Sequence, residues 1–293
     1  MASAGERGQS TVEWVGLVLL VSLAILAAGA AAGGVPGADL ARAVASRLVC
    51  AVRVAGACER RTDALAAEYG AELAALAREH APSIQLAAGA DQLPVDHRDC
   101  REVACAAVSR SGSLWRTDEG LPATAFTRVI DCRPAAAGDG EAGGADCSGE
   151  RAGRVYVQYW LYYPDSRTEP WGERGYHPDD WESLQVRIGA TVDGRASSHH
   201  SYNYRGGIGN WASDAGISPK PGWGPYTGEL HVASASHAGH VNGEGRGRRR
   251  VPGRRLRLVP IEPLGAAAGS DHDFAVTPPW LKPVYRDPEE TGT

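Results

Sequence analysis

The sequence predicts an α+β protein with an N-terminal transmembrane helix, a short helical collar and then a mainly antiparallel β-sandwich. Three observations carry this reading. Residues 12 to 32 form an almost unbroken apolar run, and about 20 residues suffice to cross a bilayer as a helix. Residues 39 to 80 repeat apolar side chains at helical spacing. From Arg154 onward, short β-branched and aromatic runs alternate with turn residues, a texture of antiparallel sheets rather than of a parallel α/β sheet. The implied segments are 1–34 (signal and transmembrane helix), 35–82 (collar), 83–153 (irregular and disulfide-bearing), 154–285 (sandwich) and 286–293 (tail).

Composition narrows the function classes. A net charge of −5 gives no bulk attraction to nucleic acid, so no nucleic-acid partner is expected. With two phenylalanines and one methionine, the core must rest on Val, Leu, Ala, Trp and Tyr. The six cysteines fall in three sequence-close couples, Cys50 and Cys58, Cys100 and Cys105, Cys132 and Cys147. No C-x-x-C occurs, so disulfides are preferred to a zinc knuckle, with their connectivity open among the 15 pairings that six cysteines allow. That preference places the body outside the cytoplasm.

At the N-terminus, Glu13 sits inside the start of the apolar run, where a charge is costly. Gly8-Gln9, with Glu13 at the fifth position after the glycine, resembles the class III signal of type IV pilins, the Flp and Tad-type pilin-like proteins in particular. The resemblance covers residues 5 to 32. It implies that a prepilin peptidase cuts after Gly8 on the cytoplasmic side. Glu13 would then pair with a new amino terminus, and other pilin-like subunits would be partners. Gln9 stands where classical pilins commonly carry phenylalanine. An uncleaved anchor and an ordinary signal peptide are the alternatives, and all three export residue 33 onward. The expected location is the cell membrane, single-pass, with the N-terminus cytoplasmic and the body outside.

Val35-Pro36-Gly37 breaks the first helix. A second follows from Asp39 to about Val54, with Leu40, Val44, Leu48 and Ala51 on one face and Cys50 near its end. Thr62 is the expected N-cap of a third, which carries Leu65, Tyr69, Leu73 and Leu76 at helical spacing and ends at Pro82. Residues 83 to 153 lack a readable pattern. The acids, His97 and two cysteines of DHRDCREVACAAVSRSG read as a disulfide-closed loop, and residues 133 to 153 read as a Gly/Ala-rich excursion closed by Cys132 and Cys147.

VYVQYWLYYPDS reads as a strand from residue 155, ended by Pro164-Asp165, with Val155, Val157, Tyr159 and Leu161 on one face. The next strand, HPDDWESLQVRI at residues 177 to 188, is the centre of interest. Period two puts Leu184, Val186 and Ile188 on one face, with Asp180 and Glu182 in line with them. Trp181, Ser183, Gln185 and Arg187 take the other. Asp193-Gly194 is the expected turn after it. Leu230 and Val232 mark a later strand that ends near Ser236-His237, and RRLRLVPIEP a last one.

Ionised carboxylates in line with a core stripe are costly unless paired or bound to a cation. The pattern H-x-x-D-x-E, with Asp179 beside it, points to a metal. The competing account is a salt-bridged network with Arg187, Arg174 or the arginines of 246 to 257. YYPDS, HPDDWE and SASHAGHV together resemble the necrosis- and ethylene-inducing-like proteins across residues 154 to 245. That resemblance implies a β-sandwich holding Ca²⁺ or Mg²⁺ through Asp165, His177, Asp180 and Glu182. Trp181 matches the tryptophan of the family's heptad, and His237 lies at the site's edge. The family binds membrane glycosphingolipids. Tyr176, Pro178 and Asp179 depart from the heptad G-H-R-H-D-W-E, so cytolysis is not carried over. Mn²⁺ and Zn²⁺ are alternatives on ligand chemistry.

Three functions follow as expectations. The first is a metal-dependent glycan or lipid-headgroup binding module, with Trp181, Trp171, Tyr202, Tyr204 and Trp211 stacking on sugar rings or headgroups. The second is a metal-dependent hydrolase with His237 or Asp179 as base. The third is a structural minor pilin. The other histidines of this half, His199, His200, His231, His240 and His272, are further candidate bases or ligands. No G-x-S-x-G, H-E-x-x-H or Walker loop is present. GRGRRRVPGRRLRL, with seven arginines, suits either anionic polymers and headgroups or a solvated loop beside acidic neighbours.

Overall fold

Asp63 opens the first described element. The computed structural model describes residues 63–110, 112–133, 141–142, 144–167, 176–197, 222–241, 249–261 and 274–290. Asp63 caps α1 (Ala64–Glu79), its Oδ1 accepting from the Ala66 N–H at 3.2 Å. The cap is thus one residue beyond the expected Thr62. Gly70 interrupts the helix at φ 80°, ψ 164°, a region that only glycine enters freely. The bend brings the Arg78 guanidinium onto the Asp63 carboxylate. In a straight helix those positions would stand about 22 Å apart. Leu65, Ala74 and Ala77 are buried, and the hydroxyls of Tyr69 and Tyr159 donate to Thr127 O and Ala77 O. The helix expected in a collar therefore packs on the sheets of the compact unit 63–293.

Two mixed sheets share one core. The smaller contains β1 (Ser83–Leu86), β9 (Glu229–Val232), β10 (Gly239–His240) and β11 (Arg249–Val251), in the order β10-β9-β1-β11. The larger contains β2 (Thr124–Asp131), β5 (Val155–Ser166), β6 (His177–Ile188), β7 (Val192–Ser197), β8 (Gly224–Pro225) and β12 (Arg257–Pro260), in the order β12-β2-β5-β6-β7-β8. A small hairpin, β3 (Glu141–Ala142) with β4 (Ala145–Asp146), and the single turns α2 (Val103–Ala106) and α3 (Pro283–Arg286) are the other strands and α-helical turns among the described residues. Most pairs are antiparallel, as expected. The β1–β9 and β2–β12 pairs are parallel.

Ile84, Leu86, Leu230 and Val232 of the smaller sheet pack with Val157, Tyr159, Leu161, Leu184 and Val186 of the larger. The larger sheet is buried on its other face as well. There Phe126, Trp160, Tyr162 and Trp181 pack with Phe274, Val276, Trp280 and Val284. The expected tail is part of this cover. Glu289 accepts from Tyr156 Oη at 2.6 Å and Trp223 Nε1 at 2.6 Å, and pairs with Arg154 and Arg187.

Residues 83 to 153, without pattern in the sequence, supply β1 and β2, and β2 pairs with β5 over six residue pairs. The expected turn at Asp193-Gly194 lies within β7 instead, where Gly194 opposes Val186. The reversal falls earlier, where the Gly189 N–H donates to Thr191 O. Gly194 answers a packing need: a Cβ there would meet Tyr226 Cδ2 at 2.9 Å.

Cys100 pairs with Cys105 and Cys132 with Cys147, which fits an extracytoplasmic protein. Cys50 and Cys58 lie outside the described residues. So do Gly8, Gln9, Glu13 and the apolar run; among the described residues no helix is long and apolar enough to cross a membrane.

Candidate functional site

The register of β5 against β6 fixes which side chains can meet. Tyr163 faces Asp180, Leu161 faces Glu182 and Asp165 faces Pro178. Directly opposed residues share a face, so Tyr163, Asp165, Asp180 and Glu182 all look toward the inter-sheet core. His177 opposes Ser166 and takes the other face. The four expected metal ligands are therefore divided, three on one face and one on the other.

The three carboxylates meet protein groups. Asp165 accepts from Gln92 Nε2 at 2.6 Å and from Arg167 Nε at 2.9 Å. Asp180, fully buried, lies with Oδ2 3.0 Å from His237 Nδ1. Glu182 Oε2 accepts from the Gly239 N–H at 3.3 Å. His177 sits half-buried with Nδ1 3.2 Å from Pro178 O. Among the described residues, no three of His, Cys, Asp and Glu gather closely enough to hold a metal. The set that the resemblance implies does not fit as one ligand sphere. The groups that meet its carboxylates include Arg167 and His237, in place of the expected Arg187, which pairs with Asp193 and Glu289. Arg174 lies outside the described residues.

His237 is the residue the fold brings to this end of β6. It leads into β10, and Gly239 lets that strand close in, since a Cβ there would meet Leu230 Cδ1 at 2.9 Å. His237 is fully buried at φ 51°, and non-glycine residues held there are uncommon and strained. Its ring stacks on Tyr163 with centroids 3.9 Å apart and planes 4° from parallel. Nδ1 faces Asp180, while Nε2 has no hydrogen-bond partner among the described residues. Burial, with Asp180 and Glu182 nearby, lifts the Tyr163 hydroxyl well above its ordinary pKa. Burial also lowers the Lys282 ammonium from 10.5 to about 8, against the opposing pull of Glu182 and Asp180.

Asp179, the other candidate base, is also strained, at φ 58°. Its carboxylate accepts from Tyr162 Oη at 2.7 Å, Arg101 Nη2 at 2.8 Å and the Ala275 N–H at 3.0 Å. It ties β5 and β6 to the C-terminal cover. Trp181 is no platform for sugar rings. It is fully buried, with ring centroids 5.0 Å from Tyr162, 5.5 Å from Phe126 and 5.8 Å from His97. Trp171, Tyr202, Tyr204 and Trp211 lie outside the described residues, as do His199, His200 and His272. His231 and His240 face each other across β9 and β10.

Sequence reasoning missed Tyr163 and Lys282. Tyr163 was accessible by period two, since it continues the stripe through Tyr159 and Leu161. Nothing local marks Lys282. Comparison with protein-family descriptions, with curated proteins and with solved structures finds no match to this chain.

Proposed function

We propose that this chain is a membrane-anchored, extracytoplasmic protein whose β-sandwich binds a glycan or lipid headgroup at the His237 end of β6, with a divalent cation as part of the site. The observation that carries the reading is the buried His237 ring, aimed by Asp180 through Nδ1 and unpartnered at Nε2 among the described residues. A carboxylate on one imidazole nitrogen fixes the tautomer and makes the other nitrogen a better ligand. His237 and Glu182 are the residues we assign to the cation, with water and ligand oxygens in the remaining positions. Ca²⁺ or Mg²⁺ is the proposed ion, with Mn²⁺ and Zn²⁺ as alternatives. Its role would be to polarise and orient hydroxyl or phosphate oxygens of the bound group.

The apolar run 12–32 supplies the anchor, with processing by a prepilin peptidase after Gly8 and pilin-like subunits as partners. The two disulfides support an oxidising compartment. Intact mass of the chain isolated from membranes tests the cleavage. A second reading rests on the same dyad: an imidazole positioned by a carboxylate is the arrangement of a general base, so His237 would deprotonate water in a hydrolase.

The deciding experiment uses the full chain, purified in neutral detergent under oxidising conditions and assayed for metals by mass spectrometry. A stoichiometric divalent ion, lost in His237→Ala and Glu182→Gln but kept in His177→Ala, supports the cation site and leads to glycan and lipid arrays. A folded, metal-free protein sinks it. Hydrolysis of a surface glycan by metal-free protein, with a pH profile abolished by His237→Ala, would establish the second reading.

A further inference from the structure

The C-terminal end of α1 and the turn after β11 enclose a groove with a volume of about 520 Å³, lined by Arg78, Arg250, Arg254, Glu79 and Ser83 among others. A second hollow of about 350 Å³ continues it, sharing Arg78, Gly253 and Arg254 and extending to Asp63 and Leu65. Three arginines from two distant parts of the chain, Arg78 and the 250–254 turn, thus converge on one depression. Gly253 makes the close approach possible, since a Cβ there would lie 2.1 Å from Ala81 O.

The charge around the groove is only partly answered. Arg78 meets Asp63, and Arg250 stands 3.6 Å from Glu229 while donating to Ser83 Oγ at 3.2 Å. Both are surface pairs, which exchange partners at small cost. Arg249, Arg254 and Arg255 have no carboxylate within 4.0 Å among the described residues; Arg255 lies over the Trp115 ring instead. Elsewhere the arginines Arg98, Arg101, Arg133, Arg151, Arg154, Arg167, Arg187 and Arg257 all meet carboxylates. Arg116 and Arg286 also lack a carboxylate among the described residues, but only at 249 to 255 do several such arginines fall together, with Arg254 lining the groove beside Arg78, Arg250 and the single acid Glu79.

We infer that this groove binds a linear polyanion with repeating phosphate groups. Guanidinium forks match phosphate oxygens two at a time. An elongated hollow with arginines along it suits a chain that can be laid into it, whereas a flat bilayer meets protruding side chains. The surface is separate from the His237 site, and its ligand does not depend on that site's identity.

The test measures binding of inorganic polyphosphate to the full chain in neutral detergent, by fluorescence anisotropy at several salt concentrations. Wild type binds, with affinity falling steeply as salt rises. The Arg250→Gln/Arg254→Gln variant, altered only at exposed positions, weakens binding at least about tenfold. Arg110→Gln, which removes another exposed arginine, leaves it unchanged. Absence of binding, or equal binding by the double variant, overturns the proposal. Displacement of polyphosphate by short-chain phosphatidylglycerol at equal phosphate concentration also overturns it, because the groove would then be a headgroup site.

Discussion

His237 and Asp180 lie 57 positions apart in the chain, yet Nδ1 and Oδ2 stand 3.0 Å apart with neither residue exposed to solvent. The contact joins the end of the smaller sheet to the central strand of the larger, and it places an imidazole beside a carboxylate that would otherwise be costly to bury.

Breaking this pair from one side should be expensive. Asp180→Ala and His237→Ala are each expected to lower stability by about 3–5 kcal/mol, because each removes one side of a buried polar contact. In a double-mutant cycle followed by urea unfolding, the two changes should couple by about 1–3 kcal/mol. Additive effects would show that the contact contributes nothing of its own.

Gly194 is expected to resist substitution although it sits in a regular strand. Gly194→Ala pushes a methyl against Tyr226 and should cost about 1–3 kcal/mol. In a Tyr226→Ala background that cost should vanish. A cost independent of Tyr226 would point to the strand backbone as its origin.

Lys282 gives the protein a pH signature. Its folded pKa of about 8 lies below the unfolded 10.5. Between those values the unfolded chain holds a proton that the folded chain has lost, so this residue makes stability rise with pH across that window. The rise is on the order of 3 kcal/mol. Lys282→Met should flatten that part of the stability profile in urea titrations at pH 7 to 10.5; an unchanged slope would place the titration elsewhere.

Glu289 should prove as important as a core residue. It is met by Tyr156, Trp223, Arg154 and Arg187, and Glu289→Ala leaves those donors facing an empty acceptor. A loss of about 2–4 kcal/mol is expected, with faster proteolysis at the C-terminus. Wild-type stability in this variant would show that residues 287 to 290 are dispensable.

HPDDWESLQVRI was legible to the residue, and VYVQYWLYYPDS nearly so: Pro164-Asp165, the expected end, lies inside the strand and Asp165 still pairs with Pro178. The helix of residues 64 to 79 was legible in extent, but its bend at Gly70 was not, because a lone glycine within a helical pattern is usually tolerated. TAFTRVID escaped as a strand because it is buried on both faces and so carries no apolar-polar alternation, although it pairs closely with β5. Gly194 misled because Asp-Gly marks a turn in the absence of a neighbour, and its neighbour, Tyr226, is 32 residues further on.

The sequence by itself determined the two long strands and the inward line of Asp180 and Glu182, because each depends on spacing within a few residues, while it left the pairing of the cysteines open. Only the tertiary structure decided who answers those carboxylates. Cross-strand register turned His177 away, and the close packing at Gly239 brought His237 in, since partner choice in a buried site depends on which distant segments the two sheets press together.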